Sequence, residues 1–228
     1  MPAILILITA AIGGAVFFYL TGPTVQDLAG TTPSPTASAE TIDLKVDGIG
    51  YRIAAHYTES RATRAGGDQD EVDLHVLLPD LHPWTLTNQA AFASNAPDAR
   101  VVHFVLKPDR QTLTEDQRFE RALRPQTTNP DGVPGPYGLT QFDFPQGLGY
   151  DDTQIFVALL DAKTKAVLVL RCDKLGDPTF GPSCIRQMRT PDGVGLTYRF
   201  KRAHLAEWQA IDSGITKLVA GFRSTAPK

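Results

Sequence analysis

IFVALLDAKTKAVLVL, residues 155–170, is the stretch that decides the fold. It holds two uninterrupted apolar runs, Ile155–Leu160 and Val167–Leu170, joined by the mostly polar residues 161–165. Short apolar runs bounded by turn residues are typical of strands that are buried on both faces. We therefore expect both runs to lie at the centre of a sheet, with other elements packed over each side of it.

Two cysteines follow this stretch and flank a loop. Cys172 and Cys184 are the 2 cysteines of the chain, and the residues between them are rich in Gly, Pro and Asp. A disulfide closing this loop would contribute about 3 kcal/mol to stability, and it would place the domain in an oxidising compartment. The alternative is a pair of free thiols in a cytosolic protein. Further zinc ligands at a matching spacing are absent from the sequence.

The C-terminal part of the chain predicts a hairpin followed by a helix. Ile185–Arg189 and Leu196–Phe200 flank a Thr-Pro-Asp-Gly turn. Beyond them, apolar residues recur at steps of three and four positions: Leu205, Trp208, Ile211, Ile215, Leu218, Val219 and Phe222. This spacing predicts an amphipathic helix that covers one face of the sheet. Gly214 inside the helix suggests close packing against a strand.

A second hairpin is predicted upstream. Apolar residues alternate on both sides of Asp47-Gly48, and this dipeptide favours a two-residue type I′ turn. The turn pairs Val46 with Ile49, Leu44 with Tyr51, and Ile42 with Ile53. All of these side chains then lie on one face.

The remaining elements complete an α+β domain. Further strands are predicted at Val72–Val76, Val101–Leu106 and Phe142–Phe144. Thr114 and Gln117 form a capping box, which predicts a short helix that ends before Pro125. The stretch 58–70 is polar and predicts a loop. The expected fold is a mostly antiparallel β-meander with this short helix and the C-terminal amphipathic helix packed on the sheet.

The N-terminus predicts a transmembrane anchor. Residues 3–20 carry no charged side chain, and as a helix they would span roughly 27 Å, close to the ~30 Å hydrocarbon core of a bilayer. A cleaved signal peptide is the alternative, but the first basic residue is Lys45, so a positively charged start is missing. We predict an anchor at 1–21, a Thr/Pro/Ser-rich linker at 22–40 and a folded domain at 41–228.

The orientation of the anchor follows from the cysteines. The residues that flank it hold no Lys or Arg, so the positive-inside rule does not predict an orientation. The predicted disulfide instead favours an extracytoplasmic domain. We therefore predict a single-pass protein of the inner (cytoplasmic) membrane whose C-terminal domain faces the periplasm or the exterior.

Charge and motifs exclude several classes of function. The formal net charge is -3, which argues against nucleic-acid binding. Phosphate-binding glycine motifs and His-Glu-x-x-His are absent, and the acidic stretch 68–73 lacks the glycine and the final Glu of a calcium loop. The sequence therefore predicts neither a metal site nor a cofactor.

Loops offer the candidate partner-binding residues. His82 and Trp84 lie in a Pro-bounded loop after a strand, and Tyr137 ends a loop, 124–137, that contains several prolines. Exposed aromatic residues are enriched at the centres of protein interfaces. The alternative for Trp84 is that its side chain folds back onto the core.

These features favour a non-enzymatic interaction protein. It would be an accessory subunit of a membrane complex or a partner-capturing protein, such as a toxin-neutralising immunity protein, and its partner would be a protein in or at the membrane. A membrane-tethered hydrolase built from His75, His103 and Asp73 is one alternative. A small-ligand binder with a cavity between the sheet and the C-terminal helix is another.

Overall fold

A computed structural model describes residues 12, 24–161, 163–164, 166–176 and 181–224. It contains two sheets. The smaller, three-stranded sheet consists of β1 (Thr41–Val46), β2 (Ile49–Ala54) and β3 (Gly67–Gln69). The larger, eight-stranded sheet consists of β4 (Val72–Leu77), β5 (Val101–Pro108), β6 (Val133–Pro134), β7 (Thr140–Asp143), β8 (Thr153–Asp161), β9 (Ala166–Asp173), β10 (Ser183–Arg189) and β11 (Val194–Lys201).

The large sheet has the strand order β4-β5-β11-β10-β9-β8-β7-β6, and each pair of neighbours is antiparallel. Strands β6 to β11 form a meander. The β4–β5 hairpin then joins the far edge of β11. The predicted α+β fold with a large antiparallel sheet is confirmed, but the pairing of β5 with β11 joins segments that are distant in sequence and share no local signal.

The β1–β2 hairpin has the predicted register. Val46 pairs with Ile49, Leu44 with Tyr51, and Ile42 with Ile53. Asp47 and Gly48 both have positive φ, 51° and 75°, as a type I′ turn requires. The hairpin belongs to the small sheet, where β3 pairs with β1 in parallel. The stretch 58–70, predicted as a loop, therefore contains a strand.

The helices are mostly short. They are α1 (Val25–Ala29), α2 (Arg61–Arg64), α3 (Gln89–Phe92), α4 (Glu115–Arg118) and α5 (Trp208–Gly221). The predicted capping box begins α4, where the Thr114 hydroxyl accepts a hydrogen bond from the Gln117 backbone N–H and the Gln117 side chain accepts one from the Thr114 N–H. A π-helical turn, Phe119–Leu123, continues α4.

Strands β8 and β9 are buried on both faces, as predicted. On one face, Phe156, Leu168 and Leu170 belong to the main core. On the other, Ile155, Val157 and Val169 pack in a smaller core with Phe119, Phe142 and Phe144. Leu159 and Leu160 depart from the prediction because they are exposed. The pairing of β7 with β8 ends at Val157, so Leu159 and Leu160 lie on a part of β8 that extends beyond β7.

Helix α5 covers the main core, as its spacing predicts. Trp208, Ile211, Ile215 and Val219 are its buried residues, and they share one cluster with the apolar residues of β4, β5 and β11. Gly214 packs closely against a loop residue, Leu81, and not against a strand as predicted. A Cβ at this position would lie 2.8 Å from Cδ1 of Leu81, so the missing side chain makes room for that leucine.

The predicted disulfide is present. Cys172 and Cys184 are bonded across β9 and β10, where the two residues are register partners. Both are fully buried within the main core. The bond therefore joins two central strands of the large sheet.

A buried ion cluster lies beside the disulfide. The Arg186 side chain is 4% exposed. Its Nε donates to Oε1 of Glu115 (3.0 Å) and its Nη2 to Oε2 (2.8 Å), while Nη1 donates to Asp212. The Tyr198 hydroxyl also donates to Asp212, at 2.9 Å. Burial opposes the charge of Arg186, but the hydrogen bonds and the charge of Glu115 outweigh it and raise the pKa of Arg186.

Glu115 also accepts a backbone hydrogen bond at a point where two strands stop pairing. The pairing between β10 and β9 ends at Arg186 and Leu170. Next to this point, the Val169 backbone N–H donates to Oε1 of Glu115 at 2.8 Å. The carboxylate thus replaces the missing strand partner. The cluster therefore links α4, α5 and three strands.

Removing the cation should destabilise the fold. We expect Arg186→Met to lower the free energy of unfolding by about 3–5 kcal/mol, because Glu115 and Asp212 remain buried without a counter-charge. Urea denaturation measures the change. The matched control is Arg171→Met, which removes an exposed arginine from β9 and should change stability by less than about 0.5 kcal/mol. Equal effects of the two substitutions would contradict the assignment.

The disulfide should stabilise the domain through the loop it closes. We expect Cys172→Ala combined with Cys184→Ala to lower the free energy of unfolding by about 3 kcal/mol, as measured by denaturation of both proteins without reductant. Thiol labelling provides the second readout. Rapid alkylation of both cysteines in the native, non-reduced protein would show that the bond is absent.

Apart from residue 12, the predicted anchor at 1–21 lies outside the described residues. No helix in the described part of the chain is long and apolar enough to cross a membrane. The segment predicted as a linker is described from residue 24. Within it, the Ser34 N–H donates to the Glu59 carbonyl (2.7 Å), and Arg64 donates to the Ser34 carbonyl (2.7 Å). This part of the segment therefore lies against the domain.

Candidate functional site

The large sheet has one covered face and one partly open face. Helix α5 covers the first. On the second, the register places His103, Arg199, Ile185 and Arg171 in one row across β5, β11, β10 and β9. These four side chains are exposed or half-buried. The ends of the row are covered, because Phe92 packs on His75 at β4 and Phe119 packs in the small core over Ile155 at β8.

Four neighbouring cavities open on this face. A cavity of about 360 Å³ includes Lys107 and Gln187, and a cavity of about 110 Å³ includes Gln187, Ile185 and Arg171. Cavities of about 390 Å³ and 530 Å³ both include His103. Shared or adjacent residues join them into a depression that we call the trough, defined by Lys107, Gln187, Ile185, Arg171, Arg199 and His103. The trough is the candidate functional site.

The β4 end of the trough contains a buried histidine. His75 lies opposite His103 in the β4–β5 register and is 5% exposed. Its ring packs on Phe92 with 4.6 Å between centroids, and within the described structure its Nε2 has no hydrogen-bond partner. Burial lowers the pKa of His75 to about 4, although the charge of Glu59 acts in the opposite direction.

His103 belongs to an exposed pair with a carboxylate. Its Nδ1 lies 2.6 Å from Oε1 of Glu59, and an Nδ1–H donated to Glu59 leaves a lone pair on Nε2. Asp73 lies on the same face, and burial, followed by the charges of Glu71 and Glu59, raises its pKa. Histidine held by a carboxylate can act as a general base.

The pair lacks the other parts of a hydrolytic site. Across the described residues, no hydroxyl or thiol hydrogen-bonds to Nε2 of His103. The same residues contain no group of three or more His, Cys, Asp or Glu side chains placed to hold a metal ion. The structure thus brings His75, His103 and Asp73 to one face, as the sequence suggested.

The predicted partner-binding residues are not brought together. Trp84 is 8% exposed and lines the largest cavity of the trough, so it follows the alternative in which it packs inward. His82 is exposed, with its Nε2 3.6 Å from Asp80. Tyr137 is 58% exposed, but it precedes β7 at the opposite end of the sheet order. A partner-binding role for these residues stays a prediction.

Sequence reasoning missed the basic residues of the open face. Arg171, Arg199, Lys201, Lys107 and Arg118 lie on or beside the trough. One signal for them was present in the sequence of β11. Tyr198 and Phe200 point into the core, so the alternation of a strand places Arg199 between them on the outer face. The cavities of the trough also lie on the face opposite to α5, whereas the ligand-cavity hypothesis placed one beneath that helix.

No known family and no curated protein matches the sequence. Solved structures do share the fold. An immunity protein of the type IV secretion system of Stenotrophomonas maltophilia superposes with a TM-score of 0.59 at 16% identity, over 82% of this chain and 95% of that protein. The iron-regulated outer-membrane lipoprotein FrpD of Neisseria meningitidis superposes with a TM-score of 0.52 at 15% identity, over 84% and 96%. At these identities the likeness shows the fold alone.

The buried histidine should make the domain sensitive to acid. His75 has a pKa of about 4 in the folded state, against about 6.5 for an unperturbed histidine, so the folded protein binds fewer protons between these pH values. We therefore expect the free energy of unfolding to fall by about 3 kcal/mol between pH 6.5 and pH 4 on account of this residue. Denaturant titrations across this range measure it.

The variant His75→Gln isolates the effect. Whatever it does to stability at pH 7, it should flatten the loss between pH 6.5 and pH 4 by that amount. His82→Gln, which changes an exposed imidazole, is the matched control. A His75→Gln protein with the acid dependence of the parent would contradict the role of His75.

Proposed function

We propose that this chain is a non-catalytic protein-interaction domain that captures a protein partner outside the cytoplasm, held at the inner membrane by residues 1–21. It would serve as an immunity-like inhibitor or as an accessory subunit of a membrane complex. The observation that carries this proposal is the trough. A half-open sheet face with adjoining cavities offers a partner a large, shaped surface.

The composition of the trough suits a protein partner. Ile185 and Val105 provide half-buried apolar area, while Gln187, Thr197 and the arginines provide hydrogen-bond donors. Non-obligate protein interfaces combine apolar and polar surface in this way, and arginine is enriched in them. The arrangement favours recognition over the enclosure of a small molecule.

The fold likeness supports the same class of function. One of the solved structures is described as an immunity protein and the other as an outer-membrane lipoprotein. A binding role of this kind would need no catalytic residue. The likeness contributes the class of function to the proposal, and the trough contributes the surface.

The proposed location rests on two features. The Cys172–Cys184 disulfide is stable in an oxidising compartment such as the periplasm. The uncharged stretch 3–20 is long enough for a single membrane crossing. A domain tied to the membrane in this way can meet a partner that arrives at, or crosses, the same membrane.

The contact between His103 and Glu59 supports a second candidate, a membrane-tethered hydrolase in which His103 acts as the base. Its nucleophile would be a water molecule or would come from the substrate. His103→Ala should then abolish hydrolysis of a susceptible ester or amide probe and leave the melting temperature within about 2 °C of the parent, because the side chain is half exposed.

Site-specific crosslinking tests the proposed function. A photoreactive amino acid at Gln187, an exposed position in the trough, should give an adduct of one defined mass when the full-length chain is irradiated in intact cells. The same substitution at Lys217, which is exposed on α5, is the matched control and should give none. A partner-free, monomeric protein in both cases would overturn the proposal.

A further inference from the structure

We infer that the trough binds an acidic segment of its protein partner, and that Arg199 and Arg171 receive the carboxylates of this segment while Ile185 packs on an apolar residue between them. This inference rests on the proposed function and names the chemistry of the partner. It follows from the charges, the register and the spacing of the strands.

The arginines and lysines on or beside the trough are not paired in salt bridges. Arg171, Arg199, Lys201, Lys107 and Arg118 form no salt bridge with any carboxylate that the structure describes. The chain as a whole has a formal net charge of -3, so this strip is opposite in sign to the molecule. A strip of this kind attracts acidic partners and raises their association rate.

Three of the nearby carboxylates are already engaged. Glu115 accepts hydrogen bonds from Arg186 and from the Val169 N–H. Asp109 is paired with Arg189 at 2.5 Å, and Asp173 accepts a hydrogen bond from the Ser183 N–H at 2.9 Å. The charge of Asp173 acts on Lys201, but none of these acids forms a salt bridge with Arg171 or Arg199, whose charges remain available to a partner.

The basic side chains also crowd one another at the β11 end. Lys201 Nζ donates to Asn95 Oδ1 (2.8 Å) and to the Gly181 carbonyl (3.2 Å), which holds it beside the strip. Burial, and then the charge of Arg199, lowers the pKa of Lys201. A carboxylate placed between these two cations would relieve their repulsion.

The register sets the spacing of the partner's carboxylates. Arg199 and Arg171 are separated by Ile185 on β10, and neighbouring strands lie about 4.8 Å apart, so the two arginines begin roughly 10 Å apart. Along one face of an α-helix, residues seven positions apart are also separated by roughly 10 Å. An acidic amphipathic helix laid across the strands would therefore match Arg199, Ile185 and Arg171 in turn.

A nucleic acid suits this surface less well. The β4 end of the trough carries Glu59 and Asp73, so a duplex with phosphates along the whole trough would meet these carboxylates, whereas a segment that spans only Arg199 to Arg171 would not reach them. Tyr150, at the other end, is stacked on Phe144 with 4.6 Å between centroids, so its ring is occupied. The apolar area of Ile185 between the two arginines also fits a protein side chain better than a phosphodiester backbone.

The test uses a designed helical peptide as the probe. It carries two glutamates seven positions apart with leucines midway between them, and a scrambled peptide of the same composition is the control. Fluorescence anisotropy of the labelled peptide measures the dissociation constant for the full-length protein in detergent. We expect the designed peptide to bind more tightly than the scrambled one, and its binding to weaken as the salt concentration rises.

Charge reversal locates the binding site. Arg199→Glu and Arg171→Glu should each weaken peptide binding by about tenfold or more, whereas Lys217→Glu, the same change of charge on α5, should change it by less than about twofold. Arg199→Lys should keep most of the affinity. Melting temperatures near that of the parent protein confirm that each variant is folded, as expected for exposed side chains.

Several results would overturn the inference. They are no binding of the designed peptide, equal binding by Arg199→Glu and Lys217→Glu, or tighter binding of a short DNA duplex or of vesicles containing phosphatidylglycerol. The crosslinking experiment distinguishes a failure of this inference from a failure of the proposed interaction function. An adduct from Gln187 that persists with Arg171→Glu and Arg199→Glu would refute the acidic partner and leave the interaction function standing, whereas the absence of any adduct would refute the interaction function itself.

Discussion

The guanidinium of Arg186, held between Glu115 and Asp212, is the interaction on which the rest of the structure depends. Its side chain is 4% exposed, and an unpaired charge buried there would be strongly unfavourable, so the folded sheet requires both carboxylates. Glu115 comes from α4 and Asp212 from α5, which means that one side chain of β10 fixes the positions of two helices. Glu115 also accepts the Val169 N–H beyond the point where β10 and β9 stop pairing.

This constraint divides the large sheet into two unequal faces. Helix α5 is drawn onto one face, and its apolar residues complete the main core there. Helix α4 is held near the β9–β10 junction on the other side, where the π-helical turn places Phe119 in the small core. Between that core and the contact of His75 with Phe92, the strip formed by β5, β11 and β10 is left partly open. The trough is thus a consequence of where the two helices are fixed.

The same strands stabilise the domain with one face and carry the proposed binding surface on the other. Arg186 points into the core from β10, whereas Arg199 on β11 and Arg171 on β9 point outwards. Three residues of one type therefore act in opposite ways, according to the face on which each lies. The inward arginine is neutralised by carboxylates of its own chain, whereas the outward arginines form no salt bridge with a carboxylate that the structure describes. The disulfide between β9 and β10 lies beside both and keeps these strands in register.

The sequence by itself determined the local elements and their chemistry. Alternation and turn residues predicted the β1–β2 hairpin to the residue, because a two-residue type I′ turn permits one register. The capping box at Thr114, the stripe of α5 and the pairing of Cys172 with Cys184 are likewise short-range signals. Tertiary structure alone decided that β5 joins β11, that Glu59 reaches His103, and that Trp84 turns inward while Leu159 remains exposed. These outcomes depend on contacts between distant segments, and local periodicity contains no information about which distant surface a strand or side chain will meet. The trough belongs to this second group, because its residues come from strands that become neighbours only when the sheet is assembled.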